Sequence, residues 1–439
     1  MSEWQLTKLK KCIRVKHGFP FKSEFFAETG DFVVLTPGNF YEEGGFKRNE
    51  GKDKCYTQSF PEEYLLKKDD LVVAMTEQAE GLLGSAALVP ENGKFLHNQR
   101  LGLLTAIDPG LDLGFVYHLF KTKTVRTQIR LSASGSKVKH TSPDRIGDVE
   151  VRLPPKDIQG KIAKVLSTLD AKITLNRRLN AELEAMAKLL YDYWFVQFDF
   201  PISAAQATAM GRPDLEGKPY RASGGKMVYN KELKREIPEG WEVRAIADYC
   251  SLNAATWTIK SRPDVIHYVD LANTKAGRIN EITSLKKEIA PSRAQRILRP
   301  GDTIIGTVRP ENGSYACVPK SNEILTGSTG FAVLTPKSPS FREFNYLGLT
   351  SRLNITRLSV IASGAAYPAV NPEVVAALPI PSPPETLIDG FHAATSASFD
   401  LVETNNEQTQ HLTQLRDWLL PMLMNGQVTV GDPVATQEG

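Results

Sequence analysis

Cysteine is scarce: Cys12, Cys55, Cys250 and Cys317 stand far apart, with no CxxC pair. That excludes a disulfide framework and a zinc ribbon. The seven histidines form no HExxH or related pair, so no metalloenzyme signature is present. No run of 18 apolar residues occurs, and Met1-Ser2-Glu3-Trp4-Gln5 lacks the charged-then-apolar order of a signal peptide. A soluble cytoplasmic protein with no membrane partner is expected. Neither sign of charge dominates. The 53 basic and 50 acidic residues leave a net +3, a balance that demands no polyanionic partner but can hide local patches.

What is present is a globular mix, 41% hydrophobic and 23% charged over 439 residues, too long for one ordinary domain. Its most informative feature is an internal repeat. Ala133-Ser134-Gly135 recurs as Ala362-Ser363-Gly364, an offset of 229. Without a gap, Pro143 then meets Pro372, Ile146 meets Val375, Val151 meets Ile380, and Pro154-Pro155 meets Pro383-Pro384. Six identities fall in these 23 positions, where average composition gives roughly one or two. The offset runs on, pairing Asn176 with Asn405, Leu183 with Leu412 and Leu190 with Leu419. Looser matches precede it: Leu66–Ala74 resembles Leu298–Gly306, and Trp4 opens the first copy as Trp241 opens the second.

Short β-branched runs fill the front of each copy: Phe32–Leu35, Leu71–Ala74 and Gly102–Thr105, then Ile266–Val269, Thr303–Ile305 and Phe331–Leu334. Turn pairs such as Pro37-Gly38 and Asn312-Gly313 punctuate them, as expected of strands. One helical stretch is expected at 115–129 and its counterpart at 344–358. Each copy is thus a mixed α/β domain.

The double prolines announce a long helix. Ile162, Leu166, Leu169, Ile173, Leu179, Leu183, Met186, Leu190 and Tyr193, with Asn176 included, step by threes and fours near the 3.5 average of a coiled-coil seam. Leu387, Phe391, Val402, Leu412, Leu415 and Leu419 repeat it. Asn176 and Asn405 fall in the seam. A buried amide there sets pairing register, and a solvent-facing one fits the pattern equally. Two such helices, each too long to bury its stripe on a small domain, pack best on each other in antiparallel. The expected fold class is α+β, two pseudo-symmetric domains joined by two long antiparallel helices forming a coiled coil. The divisions expected are 1–155 and 238–384 for the domains, 156–199 and 385–426 for the helices, 200–237 for a connector and 427–439 for a tail.

Two related heads suit a target with its own two-fold symmetry, and duplex DNA is one. Lys121, Lys123, Arg126, Arg130, Lys137, Lys139 and Arg145 face only Asp144 in 121–145. Arg293, Arg296, Arg299 and Arg309 surround Asp302, with Arg352 and Arg357 downstream. Lys137, Lys139, Arg145, Arg293, Arg296 and Arg309 are candidates for phosphates. Asn98, Gln99, Arg100, Ser134, His140, Ser328, Thr329 and Tyr367 are candidates near base edges.

The arrangement resembles the specificity (S) subunit of bacterial type I restriction-modification systems. Carrying the resemblance are the Ser-Gly loop, the strand ending in Leu-Pro-Pro, the helix Gln159–Ile173, Leu179-Asn-Ala-Glu-Leu183, and Gly224–Tyr229 leading to Ile237-Pro-Glu-Gly-Trp241. It covers nearly the whole chain. One departure is Pro384–Gly390, which lacks the glutamine such subunits usually carry near the helix start. The resemblance implies two target-recognition domains, each reading half of a split site in double-stranded DNA, with the helices as ruler and dock. It implies no catalysis and no cofactor in this chain. Two modification (methyltransferase) subunits would use S-adenosylmethionine for adenine methylation, and restriction (translocase/nuclease) subunits would use ATP and Mg for cleavage.

Two other classes compete. A coiled-coil assembly scaffold shares the helices but needs no basic loops in both heads. An autonomous DNA methyltransferase needs an aromatic residue after its Pro-Pro to stack a flipped base. Ser382-Pro-Pro-Glu385 has none. No G-x-S-x-G, P-loop or clustered carboxylate motif suggests hydrolase chemistry.

Overall fold

The computed structural model describes residues 4–49, 51–77, 81–136, 138–258, 260–362 and 368–431. They form two compact units: one holds the chain up to Leu175 together with the chain from Thr409, the other Asn176–Gln408.

The repeat is structural. Gln5–Lys8 pairs antiparallel with Glu150–Leu153, setting Gln5 opposite Leu153. Glu242–Ala245 pairs with Pro379–Ser382 in the same register, Glu242 opposite Ser382. Each copy then builds an antiparallel four-stranded sheet of the same order. In the first it is Ile13–His17, Leu101–Ala106, Leu71–Ala74, Ala86–Leu88. In the second it is Cys250–Leu252, Phe331–Pro336, Thr303–Gly306, Tyr315–Cys317. Leu71–Ala74 is apolar at every position because both its faces are covered. Leu71 and Val73 join one core cluster, Val72 and Ala74 another, as the two-residue period of a strand requires. A second four-stranded sheet in each copy has one parallel pair, Val33–Val34 with Phe95–Leu96 and Val265–Val269 with Leu325–Ser328. The run expected at 32–35 is therefore shorter as a strand, Val33–Val34.

The single helices expected at 115–129 and 344–358 are each two. Leu113–Leu119 is followed by Lys123–Ser132 because Thr122 leaves helical geometry and its hydroxyl caps the Val125 amide. Arg342–Leu349 and Arg352–Ala362 are divided at Thr350-Ser351. There the Ser351 hydroxyl accepts from the Asn354 amide, the same capping role.

The long helices are Lys156–Tyr191, continued by a π-helical turn to Val196, and Glu385–Met424. The first does not keep the expected seam. Leu179, Met186 and Tyr193 are exposed, while Asn180, Ala187 and Tyr191 are buried. The reason is geometric. At about 100° per residue, Asn180, Ala187 and Tyr191 lie within roughly 20° of Ile162, and the three exposed residues roughly 100–140° away. The buried face follows a straight helix rather than a 3.5-residue repeat. Gln159 locks the first junction, accepting from the Asp112 amide at 3.0 Å and donating to the Pro154 carbonyl at 2.8 Å. Its repeat counterpart, where the glutamine is lacking, is the fully buried Ile388, so apolar packing replaces hydrogen bonding there.

The segment between the copies is not bare linker. Phe200 stacks between Tyr220 and Trp241, at 4.7 and 5.2 Å. The hairpin Met227–Asn230 with Arg235–Pro238 closes over that core. Among the described residues, no helix is long and apolar enough to cross a membrane.

Candidate nucleic-acid interface

In the first copy, two loops hang on one residue. The Met75 amide donates to the Arg100 carbonyl at 2.8 Å, and its carbonyl accepts from the Thr141 amide at 2.9 Å. That clasp brings Asn98-Gln99-Arg100 and the Ser134–Arg145 segment to the same edge of the sheet. Next to it, Thr76 bridges His140, with Thr76 Oγ1 3.2 Å from His140 Nδ1.

Asn98 is buried, and its Oδ1 accepts from the Arg100 amide at 2.9 Å, so it shapes the turn that leaves Gln99 and Arg100 exposed. Below the turn lies His97, fully buried, with Nε2 2.9 Å from the Leu101 carbonyl. Burial pushes its imidazole down to about 4, which keeps it neutral at neutral pH. Ser134 and His140 are exposed and pair across the loop neck. Arg145 donates to Ser134 Oγ at 2.8 Å and reaches the His140 carbonyl at 3.4 Å. Lys139 is half-buried, its carbonyl accepting from the Glu77 amide. Gly135 sits at φ 101°, and a Cβ there would collide with the Val138 carbonyl oxygen. The loop therefore needs glycine. Lys137 lies outside the described residues.

The second copy repeats the frame with other side chains. The Thr307 amide donates to the Gly330 carbonyl and its carbonyl accepts from the Val370 amide, both at 2.9 Å. Val308 bridges Ala369 as Thr76 bridges His140. Arg309 is exposed beside this clasp, held at φ 48° with its amide on the Pro368 carbonyl. Thr329 is half-buried and its amide donates to the Arg293 carbonyl at 2.7 Å. Arg293 is exposed, its Nε donating to the Tyr268 hydroxyl at 2.9 Å. Ser328 is buried, its hydroxyl accepting from the Gly330 amide. Arg296 is half-buried on its strand and reaches Thr256 at 3.3 Å. Burial draws its guanidinium below the ordinary range, against the pull of Glu373. Arg293, Thr329 and Arg309 thus share the clasped edge, while Arg296 and Ser328 are engaged inside the domain. Tyr367 lies outside the described residues.

The clasp residues Met75, Thr76, Thr307 and Val308 were not singled out from sequence. The match of Leu66–Ala74 with Leu298–Gly306 stops just before them, and a clasp made of main-chain groups leaves no residue-type signal.

Asn176 and Asn405 are both buried between the long helices in the second unit, with Asn180 as a third member. Asn176 Nδ2 donates to Gln408 Oε1 at 2.8 Å, and Asn405 Nδ2 to Asn180 Oδ1 at 2.9 Å. Asn180 Nδ2 in turn donates to Asn406 Oδ1 at 2.8 Å. Among the described residues no group of His, Cys, Asp and Glu is placed to hold a metal ion.

A family model described as the type I restriction modification DNA specificity domain matches residues 1–185 and again 238–414. The type I restriction enzyme MjaIX specificity subunit of Methanocaldococcus jannaschii is 25% identical over 320 residues, covering 72% of this chain and 69% of that one. The HindI specificity subunit of Haemophilus influenzae is 24% identical over 327 residues, covering 65% and 70%. The crystal structure of a type I restriction-modification S subunit from M. genitalium shares the fold, with TM-score 0.61 at 14% identity over 96% of both chains.

Proposed function

Since this chain belongs to the type I restriction-modification DNA specificity family, we propose that each copy reads one half of a bipartite site in double-stranded DNA through its clasped edge. As a specificity subunit it is the non-catalytic member of its system. The observation that carries the DNA reading is the duplicated clasp, which sets exposed polar and cationic groups at the same edge of both copies. Gln99, Arg100, Ser134 and His140 are suited to base edges in one copy, and Thr329 in the other. Arg145, Lys139, Arg293 and Arg309 are suited to phosphates.

The long helices set the spacing between half-sites and dock two modification (methyltransferase) subunits. Restriction subunits complete the complex in the cytoplasm. S-adenosylmethionine, ATP and Mg serve those partners. The docking ridge is the exposed face Met186, Leu189, Tyr193 and Val196, spaced 3-4-3 as one side of a helix.

The test is to exchange residues 1–155 for those of a relative and map the methylated adenines in genomic DNA. One half of the site should change and the other stay. A change in both halves together would remove the model.

A further inference from the structure

Three arginines gather beside the second copy. Arg235, from the hairpin before it, lies with its guanidinium carbon 4.5 Å above the Phe198 ring and donates to the Val196 carbonyl. Arg221 leaves the backbone beside it, its amide donating to the Phe198 carbonyl at 3.2 Å. Arg357 comes from the helix Arg352–Ala362. Arg235 and Arg357 line one cavity of about 1080 Å³, together with Tyr191 and Asp192. Opposing charge is thin. Glu236 stands 3.8 Å from Arg221, and the side chains of Arg235 and Arg357 bond to neutral acceptors, the Val196 carbonyl and Asn354 Oδ1. Burial first, then the like charges of Arg221 and Arg357, draw the Arg235 guanidinium below its ordinary range. Arg235 and Arg357 are half-buried and Arg221 is exposed, and the like charge gathered around Arg235 is relieved by an anion.

The first copy differs at the position equivalent to Arg357. The position of Arg357 is held there by Gln128, whose amide closes on the backbone of Glu150 with two bonds of 2.9 Å. Position indicates which anion is met. Arg357 precedes Ala362, the last residue of its helix, by five residues, about 7.5 Å of helix. The same helix packs on Pro310–Asn312, directly after Arg309. Arg357 therefore stands on the helix that packs next to the clasped edge on which the duplex is proposed to sit.

We propose that Arg221, Arg235 and Arg357 form a phosphate-binding cluster that grips the DNA backbone beyond the second recognition edge. This rests on the DNA-reading function above. A backbone contact adds affinity without sequence information and makes binding more salt-sensitive.

The experiment measures affinity of the full-length chain for a random-sequence duplex and for its mapped site at several salt concentrations. The variants are Arg357→Gln, which installs the residue the first copy uses, and Arg221→Gln; Arg235 is left in place because it also holds Val196. Each should lower the magnitude of the salt slope by about 0.9. Over a fourfold rise in salt, that is about 3.5-fold less loss of affinity per arginine. The methylated sequence should not change. Unchanged slopes in both variants, with the parent binding normally, would overturn the cluster and leave the proposed function standing. Unchanged slopes with loss of modification-subunit binding would overturn it in favour of an acidic protein segment. A parent chain that binds neither duplex would overturn the proposed function, and the cluster with it.

Discussion

Met75 and Thr307 hold equivalent places in the two copies, each donating its amide to one loop and accepting at its carbonyl from another. Arg100 and Thr141 are the partners of Met75, and Gly330 and Val370 those of Thr307, at 2.8–2.9 Å throughout. Because these are main-chain bonds, the loop sequences are free to vary while the edge that presents them is kept. That separation suits the proposed reading of two different half-sites with one scaffold.

The loop neck should be the most sensitive point of the first edge. Gly135→Ala places a Cβ against the Val138 carbonyl at a backbone conformation alanine rarely adopts. A cost of about 1–2 kcal/mol is expected, paid locally. DNA affinity and methylation of the first half-site should fall together, with a change of only a few degrees in thermal midpoint. Wild-type affinity for DNA would remove this loop from the interface.

Between the long helices, Asn180→Leu leaves the amide of Asn405 without its acceptor and Asn406 Oδ1 without its donor. Destabilisation of about 1–3 kcal/mol is expected, because a buried group has lost its partner. The double variant Asn180→Leu with Asn405→Leu should be more stable than the sum of the singles. Urea unfolding of all four proteins measures the coupling; strict additivity would mean the pair is not coupled.

Met186 and Leu189 are 67% and 66% exposed. Replacing both with glutamate should therefore change stability by no more than about 0.5 kcal/mol. It should abolish co-elution with the modification subunits if the ridge is their dock. Intact co-elution would place the dock elsewhere.

Acid should weaken the first unit before the second. His97 and His118 are both fully buried, and burial holds their imidazoles down to about 4 and about 3 against an ordinary 6.5. The unfolded chain therefore takes up protons that the folded chain refuses as pH falls below 6.5, and stability is lost with falling pH until the folded values are reached. For His97 the loss between pH 6.5 and 4 is about 3 kcal/mol. Urea unfolding at pH 7.5, 5.5 and 4.5, with His97→Gln as the control, should show a shallower pH dependence in the variant. The same slope in both proteins would exclude His97 as a source.

Some of this architecture is determined by the sequence alone, and the features concerned are local. Pro154-Pro155 and Pro383-Pro384 stop a strand and open a helix wherever they stand. Leu71–Ala74 and Thr303–Ile305 are too apolar to be anything but covered. The gapless offset from Ala133 to Leu190 declares the duplication before any contact is known. Only the tertiary structure decided which face of the first long helix is buried. Threes and fours in a sequence fit both a 3.5 and a 3.6 repeat, and over the 24 residues from Ile162 to Met186 the two diverge by roughly 70°. It also decided that Asn405 meets Asn180, since antiparallel neighbours are not repeat partners. Above all it decided the clasps. Met75 and Thr307 act through an amide and a carbonyl that every residue but proline possesses, so their role is set by where the chain returns, not by what they are.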